Sequence, residues 1–202
     1  MAATRTLFDE RGMQDAPIEQ IAKAAGIARG LVYRHFSSKE ELFVLTVTDY
    51  LADLAAELEA AIARGRTPAT RLERCAEAYA RFCVQYPAFI DSALSLMRRP
   101  ARDLQAIVSE SVWLRLGQGM ARCSDQLAAV LREGVTAGDF EVEDPDYMAS
   151  YLWTSTLGAM HLARIRVGVR QPARGVPVLF TVEPERVVRS CVASALAAAK
   201  AR

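Results

Sequence analysis

The sequence predicts an all-α protein, and three observations carry that expectation. Ala supplies about one residue in six of the 202, while Gly and Pro number only 11 and 8, a mixture that favours helix over sheet. Apolar residues recur at helical spacing through most of the chain. Breaks crowd the first forty residues, at Gly12, Pro17 and Gly26, and then come roughly every twenty, which predicts short helices followed by long ones.

A chain this long buries roughly 70% of its unfolded surface. With 51% hydrophobic residues, it can build a core without disulfides or a metal, and disorder is excluded as its main state. The 25 basic and 24 acidic residues leave a net charge of +1, so a nucleic-acid site has to be local. Cys75, Cys83, Cys123 and Cys191 form no CxxC pair and accompany two histidines, His35 and His161. That pattern argues against a zinc cage or a disulfide framework, and thiols on apolar helical faces read as small hydrophobes before redox sensors. No apolar run approaches the ~20 residues that span a bilayer, and residues 1–12 lack a secretory apolar stretch, so a cytoplasmic protein is expected. Paired carboxylates, a Ser/His/Asp set, a phosphate-binding Gly loop and metal spacing are all missing, so neither an enzyme nor a bound cofactor or metal is expected.

Each element follows from local pattern. Ile18, Ile21, Ala22 and Ala25 give one apolar face to a two-turn helix, with Pro17 at its first turn. Gly26 ends that helix because a sharp turn there needs the left-handed conformation, and Ile27 covers the helix end. A second short helix is predicted over residues 28–36, with Val32 and Phe36 facing inward, so the pair spells helix-turn-helix. Ser38-Lys39-Glu40-Glu41 is a capping box, opening a long helix to about residue 64 on the stripe Phe43, Val47, Tyr50, Leu51, Leu54, Leu58 and Ile62. Thr67-Pro68 restarts a helix along Leu72, Cys75, Tyr79, Phe82 and Tyr86, which Pro87 ends. Residues 88–98 form a short apolar helix. Residues 103–137 are helical in pattern, and Gly117 and Gly119 leave open a break or kink. Helices are expected over 146–166 and 185–200, separated by a loop over 167–182 with no clear period.

Chemistry concentrates between Gln20 and Lys39. That stretch holds Lys23, Arg29, Arg34 and Lys39 with Tyr33, His35 and Ser37, and no acid. On a helix entering a major groove, Arg29 suits bidentate contact with guanine, and Gly30 lets the backbone approach the duplex. Tyr33 and Lys39 suit phosphate oxygens, Lys39 from a helix N-terminus that already favours an anion. A solvated helix face is the alternative for the same residues.

The run Leu7-Phe8-Asp9-Glu10-Arg11-Gly12 followed by Ile18 through Leu42, with Ala24-Ala25-Gly26-Ile27 and Leu31-Val32-Tyr33-Arg34-His35-Phe36 at its centre, resembles the DNA-binding domain of the TetR family of bacterial transcriptional regulators. The resemblance covers about forty residues with the family's spacing throughout. It implies a three-helix DNA-binding domain over residues 1–42 and a larger all-helical effector-binding and dimerisation domain over residues 43–202. It also implies double-stranded operator DNA and a small-molecule effector as partners, and a homodimer through the last two long helices. Carried onto matching positions, it makes Ala28, Arg29, Gly30, Leu31, Tyr33, Arg34 and Lys39 the DNA-facing set. Two departures stand out. Ala16-Pro17 replaces the usual Ser or Thr cap, a loss of roughly 1 kcal/mol unless Asp15 substitutes. Met1-Ala2-Ala3-Thr4 also begins where the family's first helix is already under way, so the natural start is expected upstream, or the first helix frayed.

In the larger part, Tyr79, Phe82, Phe89, Trp113, Met120, Trp153, Met160 and His161 are the ligand-pocket candidates, His161 as the polar handle; ordinary core packing is the alternative for each. Arg98, Arg99 and Arg102 around Pro100 suit either an anionic ligand, such as the phosphates of a thioester carrier, or a solvated turn. Small residues crowd the last two helices, among them Ala149, Ser150, Ser155, Gly158, Ala159, Ala163, Ala193 and Ala195 to Ala199 apart from Leu196. They suit either a two-fold four-helix interface or an internal Ala-rich pair. The expected function is a ligand-responsive repressor on a palindromic operator. An activator, or a ligand-independent regulator of the same fold, is the alternative.

Overall fold

The computed structural model describes residue 5, residues 18–24, 26, 28, 30, 38–98 and 100–200. By packing, the chain divides into two units, Met1–Ala55 with Tyr86–Arg122, and Ala56–Gln85 with Cys123–Arg202.

In the first unit, α1 (Ile18–Ala24) buries Ala22. It stops as expected: Gly26 takes φ +67° and its N–H donates to the Lys23 carbonyl at 3.1 Å. Helix α2 (Lys39–Ala63) opens on Ser38, whose Oγ accepts the Glu41 N–H at 3.0 Å. Its first half buries Leu42, Val44, Val47, Tyr50, Leu51 and Leu54. Two short helices, α4 (Pro87–Met97) and α5 (Ala101–Gln105), precede the long α6 (Glu110–Ala137). Phe89 and Ile90 of α4 are fully buried, and Tyr50 meets the Phe89 ring at 6.0 Å and the Tyr86 ring at 5.8 Å.

The helix expected over 103–137 is in fact two. The break falls at residues 106–109, where the Ser109 carbonyl accepts the Val112 and Trp113 N–H groups and starts a new helix. Gly117 and Gly119 leave α6 unbroken. Each costs about 1 kcal/mol relative to Ala, and the continuous stripe Val112, Leu116 and Cys123 is buried across them. At Gly119 a Cβ would stand 3.3 Å from Leu51, so this glycine lets α6 approach α2.

The second unit is built on α3 (Pro68–Gln85), α7 (Pro145–Ile165) and α8 (Pro184–Lys200), which pack on one another. Thr67 and Thr70 cap α3 reciprocally: each Oγ1 accepts the other's N–H, at 3.2 and 3.0 Å. Leu72, Cys75, Tyr79, Phe82 and Cys83 line its buried side. Asp144 caps α7 through its carboxylate, which accepts the N–H groups of Asp146 and Tyr147 at 3.0 Å, with Pro145 in the first turn. The last turn of α7 closes on Arg166 in the left-handed region, φ 56°.

The segment expected as a loop over 167–182 is instead an antiparallel hairpin of β1 (Val167–Ala173) and β2 (Val176–Thr181). Its alternation is hidden by Pro172 and Pro177. Both fall where the register shifts between Arg170 and Ala173, a place where the ladder needs no N–H. Gly175, at φ +80°, makes the two-residue turn, and Gly168 lets the Phe180 ring lie across it. The architecture is otherwise helical throughout the described residues. No helix among them is long and apolar enough to cross a membrane.

Candidate functional site

The expected DNA-facing set begins at the Gly26 turn. Lys23, Ala28 and Gly30 are exposed, and a Cβ at Gly30 would meet no atom of the described residues within 4 Å. The backbone there is open to a ligand, as close approach to a duplex requires. Lys39 supplies the first residue of α2. Arg29, Leu31, Tyr33 and Arg34, and the Asp15 cap, lie outside the described residues.

Two polar links lie within the first unit, and neither is marked by a local pattern in the sequence. Arg5 lies over the Tyr50 ring, 4.1 Å from its centroid, and 5.2 Å from that of Tyr86, while it pairs with Asp53. Such stacking contributes about 0.5–1 kcal/mol where solvent reaches it and more where it does not. Burial by itself lowers the guanidinium's pKa, but the hydrogen bonds and charges of Asp53 and Tyr50 together outweigh burial and hold it above its ordinary value. The second link joins the starts of two helices. Buried Glu41, one turn into α2, accepts the Ser109 hydroxyl at 2.6 Å, at the head of α6. A carboxylate that accepts from a hydroxyl over so short a distance is held firmly in place.

The second unit contains a cavity lined by Tyr79 and Trp153, whose rings stack at 4.3 Å and 18°. Leu58, Leu72, Leu127 and Leu152 supply apolar walls, and Thr156 adds a hydroxyl. Its free volume is about 20 Å³, room for little more than one water. Cys75 and Cys123 also line it. Burial raises the Cys75 thiol to about 12 and pushes the Tyr79 hydroxyl well above its ordinary value, so both present neutral groups to the cavity near neutrality. Raised pKa values argue against thiolate chemistry at Cys75, Cys83 and Cys191.

Only Tyr79 and Trp153 of the eight pocket candidates line this cavity. Phe82 and Met160 are buried core, and the Met160 sulfur lies 4.0 Å from that of Cys191. His161 is exposed, because it follows the inward-facing Met160 by 100° around α7. Phe89, Trp113 and Met120 belong to the first unit, where Phe89 is buried and Met120 is 49% exposed. Arg98 and Arg102 are exposed in the same unit, Arg102 pairing with Asp103 at 3.5 Å, while Arg99 lies outside the described residues. Thr156, a hydroxyl within a strongly apolar helical run, was the overlooked signal for the cavity.

A second concavity, a groove of about 200 Å³, runs between α7 and α8 and is lined by Tyr151, Ser155, Ala159, Ser190, Ser194 and Ala198. Beside it, Tyr147, Tyr151, Ser155, Gly158, Leu162 and Ile165 form an exposed stripe at helical spacing along the whole of α7.

The family model for bacterial regulatory proteins of the tetR family matches residues 1–45. The transcriptional repressor KstR2 of Rhodococcus jostii is 30% identical over 135 residues, which span 67% of this chain and 63% of that protein, a little under two thirds of its length. Among solved structures, the regulator FadR of Bacillus subtilis, in complex with stearoyl-CoA, superposes with a TM-score of 0.71 at 14% identity, covering 98% of this chain and 96% of that one. The ketosteroid regulator KstR2 of Mycobacterium tuberculosis gives 0.65 at 21% identity, covering 100% and 92%. At such identities the structural likeness speaks for the fold alone.

Proposed function

We propose that the chain is a ligand-responsive repressor of transcription in the TetR family of bacterial regulatory proteins, a regulator without enzymatic activity that binds a palindromic operator as a homodimer. The observation that carries this reading is the match of residues 1–45 to the family model, joined to the left-handed Gly26 and the exposed backbone at Ala28 and Gly30. On this reading residues 28–36 enter the major groove, Arg29 reads a base edge, and Tyr33, Arg34 and Lys39 position the protein on phosphates.

The effector site is the cavity of the second unit. Its leucine walls and aromatic pair favour a largely apolar molecule. The relatives whose names mention stearoyl-CoA and ketosteroids support an acyl or polycyclic compound. At about 20 Å³ the cavity is too small for such a molecule, so on this reading an effector enters by separating Trp153 from Tyr79. Binding then favours a spacing of the two reading heads that fits the operator less well. The groove and exposed stripe of α7 and α8 form the two-fold interface.

Selection of bound sequences from a random duplex pool tests the proposal. The full chain is expected to enrich a palindrome, and Arg29→Ala to relax the preference at one position of each half-site at a cost of about 1–3 kcal/mol. Enrichment of no palindrome by the full chain would overturn it.

A further inference from the structure

The hairpin between the last two helices has neither face covered by the described residues of its own chain. Val167, Val169 and Leu179 share one face through the pairs Val167 with Thr181 and Val169 with Leu179, and all three are exposed, Val169 and Leu179 at 67% each. On the other face, Arg170 stands opposite Val178. A two-stranded hairpin is marginal in water on its own, and sheets ordinarily bury at least one face. Its charge is one-sided too. From Leu162 to Val182 there are four arginines, Arg164, Arg166, Arg170 and Arg174, and no acid.

The complementary surface lies on the same chain, out of the hairpin's reach. From Asp139 to Asp146 there are five acids and no base. This segment precedes α7, and the Glu141 N–H donates to the Ala199 carbonyl at 2.9 Å, which pins it to the last turn of α8. The hairpin follows the end of α7 and precedes the start of α8. Arginines and acids therefore occupy opposite ends of the same helix pair. The 21 residues of α7 separate them by about 31 Å, several Debye lengths at physiological salt. A two-fold axis perpendicular to α7 exchanges those ends. It sets each hairpin beside the acidic segment of the other copy and closes both contacts at once, as an isologous interface requires.

We propose that the β1–β2 hairpin is an arm that grips a second copy of this chain, Arg170 and Arg174 facing the other copy's acidic segment around Asp139 and Glu143 while Val167, Val169 and Leu179 are covered by its α7 stripe. The proposal rests on the homodimer reading above. Asp144 and Asp146 are already engaged, the first as the cap of α7 and the second with Arg132 at 3.4 Å, so the test reverses Asp139 and Glu143.

Two variants of the full chain are compared with the unmodified protein by sedimentation, Arg170→Glu with Arg174→Glu, and Asp139→Lys with Glu143→Lys. Each alone is expected to dimerise about tenfold more weakly or worse, since like charges then face each other. An equimolar mixture is expected to recover the dimer, because one contact in the mixed pair is reversed on both sides and the other is unchanged. The advantage of the mixture is expected to vanish near 1 M salt, where the Debye length is about 3 Å. Should a variant fail to fold, Arg174→Cys combined with Glu143→Cys is expected to form a covalent dimer under mild oxidation. If the unmodified chain is a monomer, the homodimer reading falls and the arm with it. If it is a dimer that the reversals leave unchanged, or if they weaken only DNA binding, the arm alone is overturned.

Discussion

Cys75 sits on the wall of the apolar cavity, and its thiol titrates near 12 because burial penalises the thiolate. The folded state therefore keeps a proton that the unfolded chain releases near its ordinary value of 9.0. Stability from this group is complete below that value and is lost as pH rises toward about 12. The thermal midpoint is expected to fall across that window and to fall less steeply in Cys75→Ala. Equal slopes in the two proteins would refute the assignment. The same neutrality makes a redox role unsuited to this residue, as its place on an apolar helical face had suggested. Arg5 teaches the opposite lesson. Nothing local marks it, since its partners Tyr50, Asp53 and Tyr86 are 45 or more positions away, and an isolated arginine near a chain start reads as solvated.

Helices were legible where a local rule sets them. Ser38, the Thr67-Pro68 start and Gly26 all stand at helix ends, and Gly26 takes φ of +67°. Each works within four residues, so it is present in the sequence itself. The hairpin was not legible, because Gly168, Pro172, Gly175 and Pro177 interrupt its alternation and its pairing partners are set by the turn. Gly134 was likewise silent. Within α6 it reads as a weak helix former, yet its carbonyl accepts the N–H groups of Asp139 and Phe140, and the Phe140 ring packs where a Cβ would stand. Gly134→Ala is therefore expected to destabilise the chain by about 1–3 kcal/mol, although Ala is the better helix former by about 1 kcal/mol. Denaturant unfolding decides the sign, and a stabilised variant would contradict the packing.

For the whole molecule, a near-zero net charge with a local basic stretch makes a specific claim about operator binding. On the proposed reading, affinity falls steeply with salt, because phosphate contacts release counterions. Lys39→Ala is expected to lower affinity about equally for all sequences and to reduce the slope of log affinity against log salt by about one. A change in sequence preference with an unaltered slope would remove Lys39 from the phosphate contacts. The sequence by itself determined the helical class and the family resemblance, because periodicity, caps and the motif between Leu7 and Leu42 depend on neighbours within a turn or two. Tertiary structure alone decided which aromatic residues enclose the cavity. Tyr79 and Trp153 meet across 74 positions while Met160 and His161, adjacent in sequence, point inward and outward. It also decided that residues 167–181 pair as strands with both faces open. Burial and pairing are set by what arrives from distant parts of the chain, and a stripe of apolar residues carries no record of its partner.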